Sequence, residues 1–406
     1  MQTNLADFIR GTSEGDEAEA ILRACVHCGF CTATCPTYQI LGDELDGPRG
    51  RIYLIKQVLE GAPVTKKTQT HLDRCLTCRS CETTCPSGVK YGRLADIGRK
   101  IVEDRVPRPL GERITRTLLK EALPRAWIFK PAYRAGQLVR PLLSPALQDK
   151  LRKTPPAGRW PQREHARKML VLGGCVQPAM APNINAATAR VLDAFGVQLV
   201  VAPKAGCCGA VRYHLNDQAG GLDDMRRNID AWWPLVEQVE AIVMTASGCG
   251  VTVKEYGHLL AHDAAYADKA RRIADMTRDL SEIMPQFEAE LGVKLKGRLH
   301  KKVAWHPPCT LQHGQQIRGK VEGVLRAAGV EVTLCADSHL CCGSAGTYSV
   351  LQPQLATELR DRKLANLLAT SPEVIVSANV GCLNHLQSGT DTPVTHWIEL
   401  LDQALS

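Results

Sequence analysis

Several features that would assign this 406-residue chain to a functional class are missing. It has no run of 18 predominantly apolar residues, so no segment reads as a bilayer-spanning helix. Met1 to Ala20 carries five acidic residues and no apolar core, unlike an export signal. No G-x-G-x-x-G opens a helix after a strand and no Walker-type loop is present, so nothing signals a flavin, nicotinamide or nucleotide site. Evenly spread charge is lacking too. Between Arg99 and Lys168, 18 Lys and Arg stand against 6 Asp and Glu, an excess larger than the net +8 of the whole chain. The remainder is therefore net negative, which argues for one basic face or linker and against a nucleic-acid partner.

Cysteine, in contrast, is plentiful, with 17 residues. Without an export signal these point to metal ligation instead of disulfides. The run Cys25-Val-His-Cys28-Gly-Phe-Cys31-Thr-Ala-Thr-Cys35-Pro36 returns fifty residues later as Cys75-Leu-Thr-Cys78-Arg-Ser-Cys81-Glu-Thr-Thr-Cys85-Pro86. Both copies read C-x2-C-x2-C-x3-C-P, in which three close thiolates hold one [4Fe-4S] cubane and the fourth reaches across to the other. Cluster one is therefore expected on Cys25, Cys28, Cys31 and Cys85, and cluster two on Cys35, Cys75, Cys78 and Cys81. Structural zinc fits the spacing less well, because a third cysteine only three residues on crowds a tetrahedral ion. The proline after each fourth cysteine fixes φ and turns the chain away from the metal.

Between the runs, Asp46-Gly47-Pro48 offers a cap with proline at the first helical position, and Ile52, Ile55, Val58 and Leu59 follow at helical spacing before Gly61. Such a helical insert resembles the ferredoxin module of succinate dehydrogenase and fumarate reductase iron–sulfur subunits. Residues 1–98 are thus expected to form a helical ferredoxin domain. Residues 99–167 read as a basic connector holding Pro107, Pro109, Pro124, Pro131, Pro141, Pro145, Pro155, Pro156 and Pro161, in which long uninterrupted helices are not expected. Within it, Trp127, Ile128, Phe129, Tyr133, Leu138, Val139, Leu142 and Leu143 interleave with Arg125, Lys130, Arg134 and Arg140. That mixture suits an anionic membrane surface, or packing against partner subunits or the body of the chain.

From about residue 168 the chain repeats itself. Cys175, the pair Cys207-Cys208-Gly209 and Cys249 are matched by Cys309, Cys341-Cys342-Gly343 and Cys382. In both copies 31 residues separate the first cysteine from the pair, and the return to the last takes 40 residues in one and 39 in the other. An internal duplication over 168–300 and 301–406 follows. Each copy alternates strand and helix as strand, helix, strand, helix, strand, with amphipathic stretches at Ala187 to Gly196 and Val321 to Gly329. The expected architecture is therefore multidomain: an α-helical ferredoxin domain followed by two duplicated Rossmann-like α/β halves with parallel sheets. Cys175, Cys249, Cys309 and Cys382 fall at the carboxyl ends of strands, where such sheets collect ligands, and the CCG glycines would let the backbone approach a bound group. All eight cysteines form a second set of candidate ligands for additional iron–sulfur clusters.

The duplicated C, CCG, C pattern resembles the cysteine-rich domains of heterodisulfide reductases and of respiratory iron–sulfur proteins. It departs from them at Ala246 and Asn379, which stand where the first cysteine of a terminal C-x-x-C would be. Over nearly its whole length the chain resembles the iron–sulfur subunits of bacterial glycolate oxidases. The resemblance rests on Asp43-Glu-Leu-Asp-Gly-Pro-Arg-Gly-Arg-Ile-Tyr53, Leu72-Asp-Arg-Cys75, Ala205-Gly-Cys-Cys-Gly-Ala210, Asn228-Ile-Asp-Ala-Trp-Trp-Pro234, Asp337-Ser-His-Leu-Cys-Cys-Gly-Ser-Ala-Gly346 and His396-Trp-Ile-Glu399. It implies a hetero-oligomer in which flavoprotein subunits bind FAD and oxidise a 2-hydroxy acid. This chain would then relay single electrons towards quinone from the cytoplasmic face of the inner membrane, with no catalytic residue of its own. Relay subunits for glycerol 3-phosphate or lactate oxidation, and a reductase acting at the C-terminal cysteines, are the alternatives.

Other residues attract attention. His306, His313 and His214 lie near the cysteines, where a satisfied structural histidine is the simpler reading. Trp232 and Trp233 read as core or interface anchors, and Cys335, without a counterpart in the first copy, as a buried thiol. Asp337, Ser338 and Ser344 flank the second CCG, where they could orient a ligand.

Overall fold

The computed structural model describes residues 1–142, 148, 151 and 153–405, so Leu143 and Pro145 of the connector lie outside the described residues. These residues form two compact units, Met1–Arg116 with His339–Leu359, and Thr117–Ser338 with Arg360–Ser406. The units do not follow the expected boundaries. The helix Tyr91–Arg105 runs across the 98/99 boundary, and the segment that carries the second CCG belongs to the N-terminal unit.

The first unit is helical: Ser13–Ala24, Pro36–Leu41, Pro48–Leu59, Lys66–Asp73, Ser80–Thr84 and Tyr91–Arg105. Thr12 caps the first of these, its hydroxyl accepting from the Gly15 N–H, with Glu14 and Asp16 in the first turn. In the helix between the cysteine runs, Ile52, Ile55, Val58 and Leu59 are buried, as their spacing predicts. They pack with Leu22, Leu72, Leu94, Ile97 and Val102 into one core. Gly98 permits the close approach of two of these helices, since a Cβ there would sit 2.6 Å from Ile55 Cγ1. The cap differs from expectation: Gly47 is the N-cap of Pro48–Leu59. The Asp46 carboxylate turns inward instead, accepting from Arg51 and Arg74.

Two 13-residue helices, Leu110–Ala122 and Ala126–Leu138, correct the expectation that prolines preclude helices of this length in the connector. Pro107 and Pro109 precede the first and Pro124 separates the two, so proline mostly punctuates; among the described residues Pro131 lies inside an α-helix and Pro141 inside the short 3-10 turn Arg140–Leu142.

The second unit contains two four-stranded parallel sheets of identical order. In the first, β1 (Arg167–Val171), β2 (Val197–Val201), β3 (Ile242–Met244) and β4 (Thr277–Asp279) lie as β2-β1-β3-β4. In the second, β5 (Lys302–Trp305), β6 (Glu331–Leu334), β7 (Val374–Ser377) and β8 (Val394–His396) lie as β6-β5-β7-β8. Each sheet has one strand more than expected. β4 and β8 are three residues long and carry polar residues, too short for a period-2 signal to stand out.

The two sheets share one core, in which Val171, Val243, Phe195 and Phe287 are continuous with Val303, Trp305, Val376 and Trp397. The last helix, Trp397–Leu405, closes it; Asp402 accepts two hydrogen bonds from Arg190 of the helix Asn183–Asp193, at 2.8 and 2.6 Å. At the end of β8, buried His396 donates from Nε2 to the Thr245 carbonyl at 3.0 Å and accepts from the Ile398 N–H at Nδ1.

Burial pushes the His396 imidazole down to about 4, below the ~6.5 of an unfolded chain. Above pH ~6.5 both states are neutral. Below it the unfolded chain takes up a proton that the folded one refuses, so stability falls as pH drops towards 4, by up to about 3 kcal/mol from this residue. Urea unfolding of wild type and His396→Asn between pH 7 and 4 checks this; the variant should show a shallower decline, and parallel curves would contradict it.

Candidate metal centres

In each cysteine run the residues before and after the second cysteine are left-handed: His27 (φ 60) and Gly29 (φ 88) around Cys28, and Thr77 (φ 53) and Arg79 (φ 62) around Cys78. Three of the four are not glycine, and such backbone persists where the surroundings impose it. The wrap turns N–H groups towards sulfur, with the Thr77 N–H 3.3 Å from Cys75 Sγ. The two runs therefore make the same loop.

Two cavities result. One is lined by Cys25, Cys28, Cys31 and Cys85 together with Cys81, with Val26, Phe30, Ile52 and Val89 in its walls. The other is lined by Cys35, Cys75, Cys78 and Cys81, with Leu76, Arg51 and Arg79. Tyr91 borders both. The fourth cysteine of each run thus lies with the first three of the other.

No cysteine among the described residues is in a disulfide. Burial, followed by the charge of Cys25, pushes the Cys31 thiol up to about 11. Burial and Cys78 push Cys81 well up. Cys75 is the exception: burial works against its thiolate, but the Arg51 and Arg99 guanidiniums and the Tyr91 hydroxyl outweigh it and hold the thiol below its ordinary value. The buried Tyr91 hydroxyl has no nitrogen or oxygen partner and faces the Cys75 sulfur. All-thiol donor sets, inward N–H groups and a hydroxyl waiting for a sulfur acceptor fit an iron–sulfur cluster in each cavity.

In the second unit the first repeat brings Cys175, Cys207, Cys208 and Cys249 together. Cys207 interacts with Cys175 and Cys208, and Cys208 also with Cys249. Hydrogen bonds from Cys175 and Cys208 hold Cys207 well below a normal thiol, while those two are pushed up. The pair is fixed from behind. Asn228 accepts from the Gly206 N–H at 2.8 Å and donates to the Cys207 carbonyl at 2.7 Å, and Tyr256 donates to the Cys208 carbonyl at 2.9 Å.

The CCG glycines have a packing role. Gly209 (φ 92) and Gly343 (φ 86) are left-handed, and a Cβ would meet the Gly221 and Ala356 carbonyls at 2.6 and 2.5 Å. A neighbouring helix packs against each of them.

Cys309 and Cys382 of the second repeat lie in the second unit, and Cys341 and Cys342 in the first. His306, in the second unit, corrects the reading of a satisfied structural histidine: it is 1% exposed and neither ring nitrogen has a partner. A His306 nitrogen lies within 4.8 Å of Cys382 Sγ, and burial drives its pKa well down, as suits a neutral donor. The departure at Asn379 is structural in this fold, since its amide accepts from the Gly248 N–H at 3.4 Å and donates to Cys382 Sγ at 3.6 Å. Cys335 is buried, as expected. Trp232 is core, whereas Trp233 is 38% exposed beside the Lys269 ammonium. Sequence reasoning missed Arg51, Arg99 and Tyr91, for no motif separates a buried arginine from a surface one.

Two thiol-lined cavities in a helical unit and a buried cysteine cluster at duplicated parallel sheets define an iron–sulfur electron-transfer protein. Residues 21–89 match the 4Fe-4S dicluster domain, and residues 169–254 and 303–387 each match the cysteine-rich domain. The chain is 57% identical to the glycolate oxidase iron–sulfur subunit of Escherichia coli K12, over 100% of this chain and 99% of that one. It is 30% identical to the probable glycolate oxidase iron–sulfur subunit of Bacillus subtilis 168, over 93% and 90%, and 27% identical to lactate utilization protein A of the same organism, over 56% and 96%. The chain belongs to the family of glycolate oxidase iron–sulfur subunits.

Asn228→Ala removes the support of the first CCG pair and leaves buried polar groups without partners. It should cost about 1–3 kcal/mol, read as a lower denaturant midpoint at unchanged slope.

Proposed function

We propose that this chain is the electron relay of a flavin-dependent 2-hydroxy acid oxidase acting on glycolate, with cluster one on Cys25, Cys28, Cys31 and Cys85 and cluster two on Cys35, Cys75, Cys78 and Cys81. The observation that carries the reading is the pair of thiol-lined cavities built from exchanged cysteines, in a chain 57% identical throughout to a subunit so named. Cubanes accept one electron each, whereas oxidising an alcohol takes two, so a flavin in a partner subunit would perform the oxidation and pass electrons on singly. The chain's own residues position the thiolates, exclude water and supply hydrogen bonds. Cys175, Cys207, Cys208 and Cys249 are proposed as a further metal site on the first Rossmann-like half, and Cys309 and Cys382 as candidate ligands on the second.

The test mixes anaerobic chain with its flavoprotein subunits. Glycolate should bleach the iron–sulfur absorbance only when those subunits are present, and faster than lactate or glycerol 3-phosphate. Cys35→Ser should damage the cluster of the second run and Cys85→Ser that of the first, by electron paramagnetic resonance; each damaging its own run would overturn the exchanged assignment.

Electrons are proposed to leave towards membrane quinone by peripheral contact. No helix among the described residues is long and apolar enough to cross a membrane. The connector does expose Leu110, Ile114 and Leu118 at four-residue spacing on one helix, and Trp127 (76% exposed) and Leu138 (84%) beyond it, among Arg113, Arg125, Lys130 and Arg134. Apolar anchors among cations suit an anionic lipid surface. Flotation with anionic vesicles should fall for a variant lacking Arg125 to Arg140; equal flotation would refute the contact.

A further inference from the structure

Charge is distributed unequally around the two cavities. The Arg51 guanidinium, on a residue 1% exposed, donates to the His71 carbonyl at 2.7 Å, the Thr37 hydroxyl at 3.1 Å and Asp46 at 3.3 Å. Arg74 shares the same carboxylate at 2.8 Å. Buried Arg99 is held by the Leu72 and Cys75 carbonyls and the Thr77 hydroxyl. Glu82 is matched by Arg79 at 3.1 Å. Asp46 is thus shared by Arg51, Arg74 and the His71 imidazole, Glu82 pairs with Arg79, and Arg99 is held by neutral oxygens, which leaves the buried Arg51 and Arg99 guanidiniums beside Cys75. Around the other cavity, Arg49 pairs with Glu44 at 2.6 Å, both exposed enough for water to screen them, and a further cation, the half-buried Met1 ammonium, donates to the Cys25 carbonyl at 2.8 Å. The unpartnered Tyr91 hydroxyl and the Thr77 N–H are also directed at Cys75.

We propose that Arg51, Arg99 and Tyr91 are positioning residues that make cluster two the higher-potential member of the pair, so that electrons entering by the exposed Cys28 edge come to rest beside Cys75. The inference rests on the two-cluster reading above. Reduction adds one negative charge to a cluster, and unscreened cations and donors to sulfur favour that state. Burial opposes it, but burial separates the sites mainly at Cys28, the one exposed ligand, while Cys25, Cys35 and Cys81 are all buried. Two buried guanidiniums beside Cys75, in the wall of a low-dielectric cavity, outweigh the loss of solvent along one edge.

Potentiometric titration of the anaerobic full chain, followed by electron paramagnetic resonance, tests this, with Cys28→Ala and Cys78→Ala assigning the signals. The signal that survives Cys28→Ala should have the higher midpoint. Arg51→Gln should lower that midpoint by about tenfold in the reduction equilibrium, about 59 mV for one electron, Tyr91→Phe should lower it less, and Arg51→Lys should keep it; the other midpoint should not move. If Arg51→Gln fails to fold, the wild-type order and Tyr91→Phe, which preserves the packing, decide. A higher midpoint on the signal surviving Cys78→Ala, or a Tyr91→Phe that shifts neither midpoint or both equally, overturns the proposal. Fewer than about eight irons per chain in wild type would instead remove the two-cluster reading on which it stands.

Discussion

The requirement that four sulfurs surround each cavity, while each run supplies three close together, governs the first unit. The fourth cysteine of one run must reach the other, so Cys35 and Cys85 draw segments fifty residues apart into contact distance. The helix Pro48–Leu59 spans the gap, its apolar face in the core and its Arg51 against the second cavity. Gly98 lets the helix Tyr91–Arg105 close over it, which carries Tyr91 to the border of both cavities. Packing and electron-transfer chemistry are thus imposed by the same few residues.

The second unit obeys a different constraint. Parallel strands need both faces covered, and neither repeat covers its own completely. The helix Asn183–Asp193 of the first repeat is sealed by the last helix of the chain through Arg190 and Asp402. The repeats also meet past the ends of β3 and β7, where the Ser247 N–H donates to the Ala378 carbonyl at 3.0 Å and the Ser247 and Thr310 hydroxyls lie 2.7 Å apart. Ala246 and Asn379 flank that junction. One of them is a small residue and the other a hydrogen-bonding amide, so the departures from C-x-x-C coincide with places where backbone meets backbone.

Buried polar groups beside the cysteines differ in how they are satisfied. Asn228 and Tyr256 are satisfied and hold the first CCG pair in place. Tyr91 and His306 are as deeply buried and have no nitrogen or oxygen partner. Leaving such groups unpaired is costly, and both lie beside cysteine sulfur.

The sequence by itself determined the local chemistry: the cysteine spacing that a cubane demands, the placing of each run's fourth cysteine with the other run, the helix through Ile52, Ile55, Val58 and Leu59, and the duplication of parallel sheets. Each of these is written in short-range spacing or in repetition, which a linear chain displays directly. Tertiary structure alone decided which arginines became buried cations beside Cys75, which helix approached the CCG glycines, and that His306 lacks a partner. It alone supplied β4 and β8, whose three residues carry no periodicity, and placed the His339–Leu359 segment in the N-terminal unit. Burial and electrostatic field are sums over neighbours distant in sequence, so they exist only once the chain has folded.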